Sequence, residues 1–212
     1  MQVSSSWRWP VALALLGAAW FGTLFLADFP AGGAVERLDL WLDAWLAAHR
    51  SAQGIAVFAT ITAFGNAGTV AMLALGLSIA LWRFGRHGRA AIQVVTLWLV
   101  PIGASVTTWW LKLAFARPRP EQAVYILPDF SFPSGHATGA AAFYGLLAWL
   151  AVWNRWLSPR VGALLGGAAV GLIGFSRLYL GVHYLSDVLN GYLVGALWAL
   201  AGAWWVRRAG SA

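Results

Sequence analysis

Cysteine is absent from the chain, which excludes a disulfide framework and any metal site built on thiolates. Charge is scarce as well, because Asp, Glu, Lys and Arg together make up only 10% of the residues. Lysine occurs once, as Lys112. What fills the sequence instead is apolar, since 60% of the residues are hydrophobic. This composition exceeds that of a soluble domain and predicts an integral membrane protein.

Long apolar runs indicate where the chain crosses the membrane, because a hydrocarbon core of about 30 Å takes roughly 20 helical residues. Five runs approach this length: Pro10–Ala27, Ala90–Leu111, His136–Trp153, Val161–Phe175 and Val188–Val206. A sixth lies between Gly54 and Trp82, but Gly65-Asn66-Ala67-Gly68 interrupts it, so we expect its crossing to begin near Thr69. We therefore expect an all-α bundle of six transmembrane helices, one domain over residues 1–212, with the first run retained as a helix.

Between the first two runs the sequence has the pattern of an amphipathic helix. Large apolar residues recur at helical spacing (Leu38, Trp41, Leu42, Trp45, Leu46), and charged residues take the opposite side (Glu36, Asp39, Asp43, Arg50). Such a helix lies in the membrane interface or packs on other protein, and neither interpretation makes it catalytic. The 15 tryptophans, mostly near predicted span ends, fit an interfacial aromatic belt.

The distribution of charge predicts the orientation of the bundle. With six spans and both termini on one side, that side receives Arg8, Arg83, Arg86, Arg89, Arg155, Arg160, Arg207 and Arg208, and the other receives Asp28, Glu36, Asp39, Asp43, Glu121, Asp129 and Asp187. The arginine-rich side is then cytoplasmic. The net charge of +7 therefore does not indicate nucleic acid binding. We expect a protein of the inner (cytoplasmic) membrane whose ionisable groups face the periplasm or its equivalent.

His183 and Asp187 are the most informative of these groups. If their segment is helical, positions i and i+4 share a face, so the carboxylate can hold one ring nitrogen and leave the other free to attack. An ordinary polar pair near a membrane boundary would look the same in isolation. Ionisable residues near lipid are expensive and mark functional sites, so we interpret the pair as a nucleophile with its orienting base.

Two further segments suit an anion. Lys112 and Arg119 lie at the end of a helix that the following prolines must terminate, and both side-chain types bind phosphate oxygens. Snorkelling at a helix end explains Arg117 equally well. Ser134 and Gly135 open into an apolar helix, where an N-cap and unpaired backbone N–H groups can bind an anion; a bare cap means little, but His136 beside it makes a candidate site.

Together these segments resemble the three-part signature of the type 2 phosphatidic acid phosphatase (PAP2) superfamily. The parts are Lys112-(six residues)-Arg119-Pro120, Pro133-Ser134-Gly135-His136 and Ser176-Arg177-(five residues)-His183-(three residues)-Asp187, which agree in residue, spacing and order. The six-span layout extends the resemblance over nearly the whole chain. The family also contains soluble vanadium haloperoxidases, so the signature is more specific for the site than for the substrate.

The resemblance implies that His183 attacks phosphorus to form a phosphohistidine while Asp187 fixes its tautomer. His136 would protonate the leaving oxygen and then deprotonate the attacking water. The phosphoryl oxygens would be held by Lys112, Arg119, Ser134, Gly135 and Arg177. No metal or other cofactor is implied, and Arg117 is left without a role.

The implied substrate is a lipid phosphate or diphosphate, such as phosphatidylglycerophosphate, phosphatidate or undecaprenyl diphosphate. A lipid phosphotransferase with a lipid diphosphate donor needs only a different acceptor. Two other interpretations of the residues stay open: a metal triad of two His and one Asp, which the surrounding cations disfavour, and an anion transporter, which leaves the His–Asp pair unexplained. Membrane lipids are the expected partners, and the sequence does not indicate an oligomeric state.

Overall fold

A computed structural model describes residues 32–84 and 89–209. In this part of the chain every regular element is an α-helix. The helices are α1 (Ala34–Ala48), α2 (Ala52–Ala63), α3 (Ala67–Phe84), α4 (Ala90–Phe115), α5 (Gly135–Trp153), α6 (Pro159–Tyr179) and α7 (Leu185–Ala209). Helices α4 to α7 are each long and apolar enough to cross a membrane, and α2 with α3 makes a fifth span if the pair, bent by 48°, is counted as one.

The all-α prediction is confirmed for the described residues, but the count of six spans is not. The predicted first span, Pro10–Ala27, lies outside the described residues. The interrupted segment also differs from expectation, because a separate helix, α2, precedes the break. The new helix begins at Ala67 rather than Thr69, since the Asn66 side chain accepts a hydrogen bond of 2.9 Å from the Gly68 backbone N–H and caps the first turn.

Helix α5 lies at the centre of the bundle, where it contacts α4, α6 and α7. Its approach to α7 depends on two glycines of α7. A Cβ atom on Gly191 would lie 2.7 Å from the Ser134 carbonyl oxygen, and one on Gly195 would lie 2.3 Å from the Thr138 carbonyl oxygen. Because no side chain fits there, the first turns of α5 and α7 are held against each other, and these turns carry candidate site residues.

The amphipathic helix is present as α1, and it packs on the protein through residues of both of its predicted sides. Asp39 is only 1% exposed, and Leu46 contacts the cluster of Leu178 and Val188 on α6 and α7. Trp41 (61% exposed) and Trp45 face outward. Of the two interpretations, packing on protein is therefore what the structure has, while the outward tryptophans suit an interfacial position.

Candidate active site

The loop after α4 brings the first group of cations together. Helix α4 ends at Phe115 because Ala116 adopts a left-handed conformation with φ of 44°, and the two prolines that follow cannot continue a helix. The chain then folds back, since the Ser131 backbone N–H donates to the Arg117 carbonyl at 2.9 Å. This return places Asp129 beside the cationic side chains of the helix end.

An internal carboxylate bridges the two cations of the first motif. Asp129 lies 3.0 Å from Lys112 Nζ and 2.6 Å from Arg119 Nη2, and Lys112 also donates to the Phe130 carbonyl. Burial raises the pKa of Asp129, but hydrogen bonds and charge from Lys112 and Arg119 outweigh it and leave the pKa below its usual value. The Asp129 side chain remains 52% exposed, so another anion can reach the same cations.

His183 precedes α7 rather than lying on it, so the expected helical i and i+4 geometry is wrong in detail. Asp187 lies in the first turn of α7, and its Oδ2 accepts the Tyr184 backbone N–H at 2.9 Å. This is the reciprocal half of a capping box, in which the third helical residue reaches back to the cap. The same oxygen lies 3.4 Å from His183 Nδ1, too far or too poorly aligned for a hydrogen bond.

The other ring nitrogen of His183 faces a cation. Arg119 Nη1 lies 3.2 Å from Nε2, and a guanidinium can only donate. Nε2 therefore accepts, which places the ring proton on Nδ1, toward Asp187. Burial lowers the pKa of His183 to about 4, with Asp187 opposing the shift and Arg119 adding to it. The imidazole is neutral at pH 7, with a lone pair on Nε2.

Arg177 completes the cationic side of the site. It is fully buried near the end of α6, where Nη1 donates to Thr62 Oγ1 at 2.7 Å and to the Tyr125 hydroxyl at 2.9 Å. Its Nε has no hydrogen-bond partner among the described residues. A buried donor without a partner is destabilising, and a bound phosphoryl oxygen is one group that would satisfy it.

The second motif lies where α5 begins. The predicted N-cap is confirmed, because Ser134 accepts from the Ala137 backbone N–H at 3.5 Å. The Ser134 backbone N–H donates to the Asp187 carbonyl at 3.0 Å, which ties this turn to α7. His136 lines a cavity of about 470 Å³ together with Lys112 and Gly135. The His136 ring lies close enough to interact electrostatically with Arg177, Arg119 and His183.

The structure adds two residues whose part in the site the sequence did not predict. Arg117 is not a snorkelling cation, since it is 6% exposed and lies between two carboxylates. Its Nη1 is 2.6 Å from Asp187 Oδ1, and its Nη2 is 2.8 Å from Asp39 Oδ2. Asp39 comes from α1, the helix to which we assigned no catalytic part. The available signal was the charged side of that helix in a chain with so little charge.

All eight predicted site residues thus lie at one end of the bundle, and three of them, Lys112, Gly135 and His136, line the cavity. The arrangement combines a neutral nucleophilic imidazole, a carboxylate behind it, a second imidazole and three cations, which suits attack on an anionic centre. Among the described residues, no group of three His, Asp or Glu side chains is arranged to hold a metal ion.

Comparison with known proteins gives a family and several relatives. The sequence pattern of the PAP2 superfamily matches residues 89–211. The chain is 40% identical over 91 residues to phosphatidylglycerophosphatase B of Bacillus subtilis, covering 41% of this chain and 45% of the relative. It is 32% identical over 133 residues to the putative undecaprenyl-diphosphatase YbjG of Escherichia coli, covering 59% and 62%. The matches therefore span about half to three fifths of these relatives' lengths.

Two solved structures are similar over more of the chain. One is a transmembrane PAP2 type phosphatidylglycerolphosphate phosphatase from Bacillus subtilis, with a TM-score of 0.81 and 25% identity over 94% of this chain and 96% of that one. The other is Aquifex aeolicus LpxE, with a TM-score of 0.61 and 25% identity over 78% and 94%. The helical bundle is thus one already seen in a transmembrane protein.

Proposed function

Because the chain belongs to the PAP2 superfamily, we propose that this multi-pass membrane protein is a lipid phosphatase that acts through a phosphohistidine on His183, without metal. The observation that carries the proposal is the position of the His183 ring. Nδ1 faces the buried Asp187 carboxylate at 3.4 Å, and Nε2 faces the Arg119 guanidinium at 3.2 Å. A neutral imidazole held between an anion and a cation is a nucleophile aimed at an anionic substrate.

In the first step, Nε2 of His183 forms a bond to phosphorus while the bond from phosphorus to the leaving oxygen breaks. The ring becomes positive, and Asp187 stabilises that charge from the Nδ1 side. His136 donates a proton to the leaving lipid oxygen. The phosphoryl group enters beside Arg119 and replaces Nε2 as the partner of the guanidinium. The positive charge of Arg119 then lies beside the phosphoryl oxygens instead of the nucleophile.

In the second step, His136, now neutral, takes a proton from a water molecule that attacks phosphorus. The bond to Nε2 breaks, inorganic phosphate leaves, and both histidines return to their starting states. Lys112, Arg119 and Arg177 neutralise the phosphoryl oxygens throughout. Ser134 and Gly135 add the N-terminal turn of α5, where backbone N–H groups favour an anion.

The cavity beside His136 supports a lipid as the substrate. It lies between α3 and α4, and its wall is largely apolar, with Val70, Trp98, Ile102 and Trp109 leading toward Lys112 and His136. A tail can stay among apolar side chains while the phosphate meets the cations. Two of the relatives are named for phosphatidylglycerophosphate and undecaprenyl diphosphate, and we propose phosphatidylglycerophosphate, phosphatidate or undecaprenyl diphosphate as the substrate.

We also propose that the site of this single-domain protein faces the periplasm or its equivalent. The ends of α4 and α6 and the starts of α5 and α7 carry the site, whereas Arg155, Arg160 and the arginines in the last turn of α7 lie at the opposite ends of these helices. The absence of native cysteine makes the test clean. Cysteine at Ile126, which is 96% exposed, should react with an impermeant maleimide on intact spheroplasts, and cysteine at Ala209 only after lysis. The reverse pattern would contradict the orientation.

Phosphate release from the purified protein in detergent, measured across the three lipids with EDTA present, tests the function. Release from at least one lipid, absent in His183→Ala, is the expected result. No release from any lipid, or a full and reversible loss on chelation, would contradict the proposal. Transport of phosphate without hydrolysis would favour the transporter.

A further inference from the structure

We propose that Arg117 and Asp39 are positioning residues that set the orientation and the charge balance of Asp187, and through it the protonation of His183. Neither residue is assigned a part by the family signature in the sequence. The kinetic consequences rest on the proposed function, whereas the consequence for the His183 ring does not. The inference starts from how the oxygens of Asp187 are shared.

The two oxygens of Asp187 serve different partners. Oδ2 faces the His183 ring and accepts the Tyr184 N–H, while Oδ1 takes the Arg117 guanidinium at 2.6 Å. Arg117 therefore binds the carboxylate on the side that faces away from His183. Both of its Nη atoms are bonded to carboxylates, and Asp187 is the one of these two that also faces His183, so we expect Arg117 to act on the nucleophile through Asp187.

Asp39 fixes the position of Arg117 and joins it to the start of α7. One Asp39 oxygen lies 2.8 Å from Arg117 Nη2, and the other accepts the Ser186 backbone N–H at 2.9 Å. The Arg117 guanidinium also lies over the Tyr184 ring, 4.1 Å from its centroid. Helix α1, the loop after α4 and the first turn of α7 are thus tied at a single guanidinium.

The charges of these side chains determine how the arrangement affects His183. Asp39, Arg117 and Asp187 together carry one net negative charge, which a positive His183 ring would balance. Burial alone would lower the pKa of Arg117, but Asp187 and Asp39 raise it above the ordinary value, so the guanidinium stays charged. Without Arg117, the negative charge of Asp187 would favour a protonated His183 ring more strongly. The positive charges of Arg119 and Arg177 and the nearby His136 oppose this protonation in either case.

The direct test follows the His183 ring by nitrogen NMR of protein labelled in histidine, with the signal assigned from His183→Ala. In Arg117→Gln, the midpoint of His183 protonation should rise by about one pH unit or more, the usual scale for a neighbouring charge. The acidic limb of kcat/KM should move upward with it, and kcat should fall about tenfold with KM nearly unchanged. An unmoved midpoint in the folded variant would overturn the proposal.

A double variant separates positioning from structural support. Arg117→Gln leaves Asp39 buried without its cation, which is destabilising, whereas Arg117→Gln with Asp39→Asn removes both charges. The double variant has the same net charge as the unmodified cluster, but Asp187 still lacks the cation that contacts it at 2.6 Å, whereas Asp39 lies on the far side of that cation. We therefore expect Tm to recover in the double variant while part of the rise in the midpoint and of the loss in kcat persists. Recovery of all three together would show that Arg117 is only structural. Arg117→Lys, which keeps the charge, should keep the midpoint near that of the unmodified protein, and a rise as large as in Arg117→Gln would count against the charge argument.

Arg50→Gln is the matched control. Arg50, which follows α1, connects Asp43 of that helix at 3.6 Å to the Gln122 carbonyl at 2.5 Å, and neither contact involves Asp187. It should lower Tm without moving the His183 midpoint, and a shift as large as in Arg117→Gln would overturn the proposal. Should the unmodified protein release no phosphate from any lipid while the midpoint still depends on Arg117, the proposed function fails and this inference stands.

Discussion

The two sides of Asp187 are built in opposite ways. Behind it, Arg117 and Asp39 are buried, and Arg117 contacts Asp187 at 2.6 Å and Asp39 at 2.8 Å. In front of it, the His183 contact is 3.4 Å, Arg177 Nε has no partner among the described residues, and the anion that holds the cations is the half-exposed Asp129.

This difference separates positioning from binding. Buried charges persist only when they are paired and hydrogen-bonded, so we expect the paired charges behind Asp187 to hold one geometry. On the His183 side, hydrogen-bond donors are left without full partners, which is destabilising until an anion binds there. The same physical rule thus gives a fixed support on one side of the carboxylate and an open, cationic pocket on the other.

The largest effect that this comparison predicts is at the nucleophile. His183→Ala should lower turnover by roughly 10⁴-fold or more, the scale seen when a nucleophile is removed, because no other described imidazole faces both Asp187 and Arg119. Phosphate release from the lipid that the protein hydrolyses measures it. His49→Ala is the control, since that ring stacks on Trp45 outside the pocket; an equal loss there would contradict the assignment.

His136→Ala should have the next largest effect. On a lipid substrate, turnover should fall by roughly 100-fold, the usual scale of general acid–base catalysis. With an activated aryl phosphate, whose leaving group needs no proton, the rate of phosphoenzyme formation should fall much less. Single-turnover rates on the two substrates measure the difference, and equal losses would count against His136 as the acid.

A smaller effect is expected from the bend between α2 and α3. A Cβ atom on Gly65 would lie 3.1 Å from the His136 ring and 2.6 Å from Ile173, so Gly65→Ala should displace His136 and lower lipid turnover about tenfold. Gly76→Ala in α3 meets nothing within 4 Å and should leave turnover unchanged. Equal rates for the two variants would show that the bend does not position His136.

The smallest effect should come from the front of the pocket. Asp129→Asn removes the anion that competes for Lys112 and Arg119, so vanadate, a phosphate mimic, should bind and inhibit more tightly. The inhibition constant should fall by about fivefold at most, because exposed ion pairs contribute about 1 kcal/mol or less. Glu121→Gln on the same loop should change nothing. Weaker inhibition in Asp129→Asn would mean that Asp129 holds the cations in place for phosphate instead of competing with it.

The sequence predicted the front of the site far better than the rear. His183, His136 and the cations were recognisable because their residue types and spacing carry the chemistry, and Ser134 because a cap precedes an apolar helix. The pairing of Asp39 with Arg117 joins residues 78 positions apart, and no local pattern encodes such a contact. Arg117 in particular has the same local sequence whether it snorkels or is buried.

The helices show the same limit. Four long spans follow from apolar length alone, and the structure has them at α4 to α7. The break at residues 64–66 was visible as a glycine and an asparagine, but its consequence, two helices at 48°, depends on packing: Gly65 lies against His136 and Ile173. Periodicity likewise identified α1 but could not decide which of its residues meet the protein.

The most direct test of the phosphohistidine mechanism is to find the phosphoryl group on the protein. His136→Ala should still be phosphorylated by an activated aryl phosphate and should hydrolyse the intermediate slowly, so phosphoenzyme should accumulate with EDTA present. Peptide mass spectrometry after an alkaline quench should place the phosphate on His183. Phosphate release without any phosphopeptide, or a phosphate on another residue, would contradict the proposed mechanism.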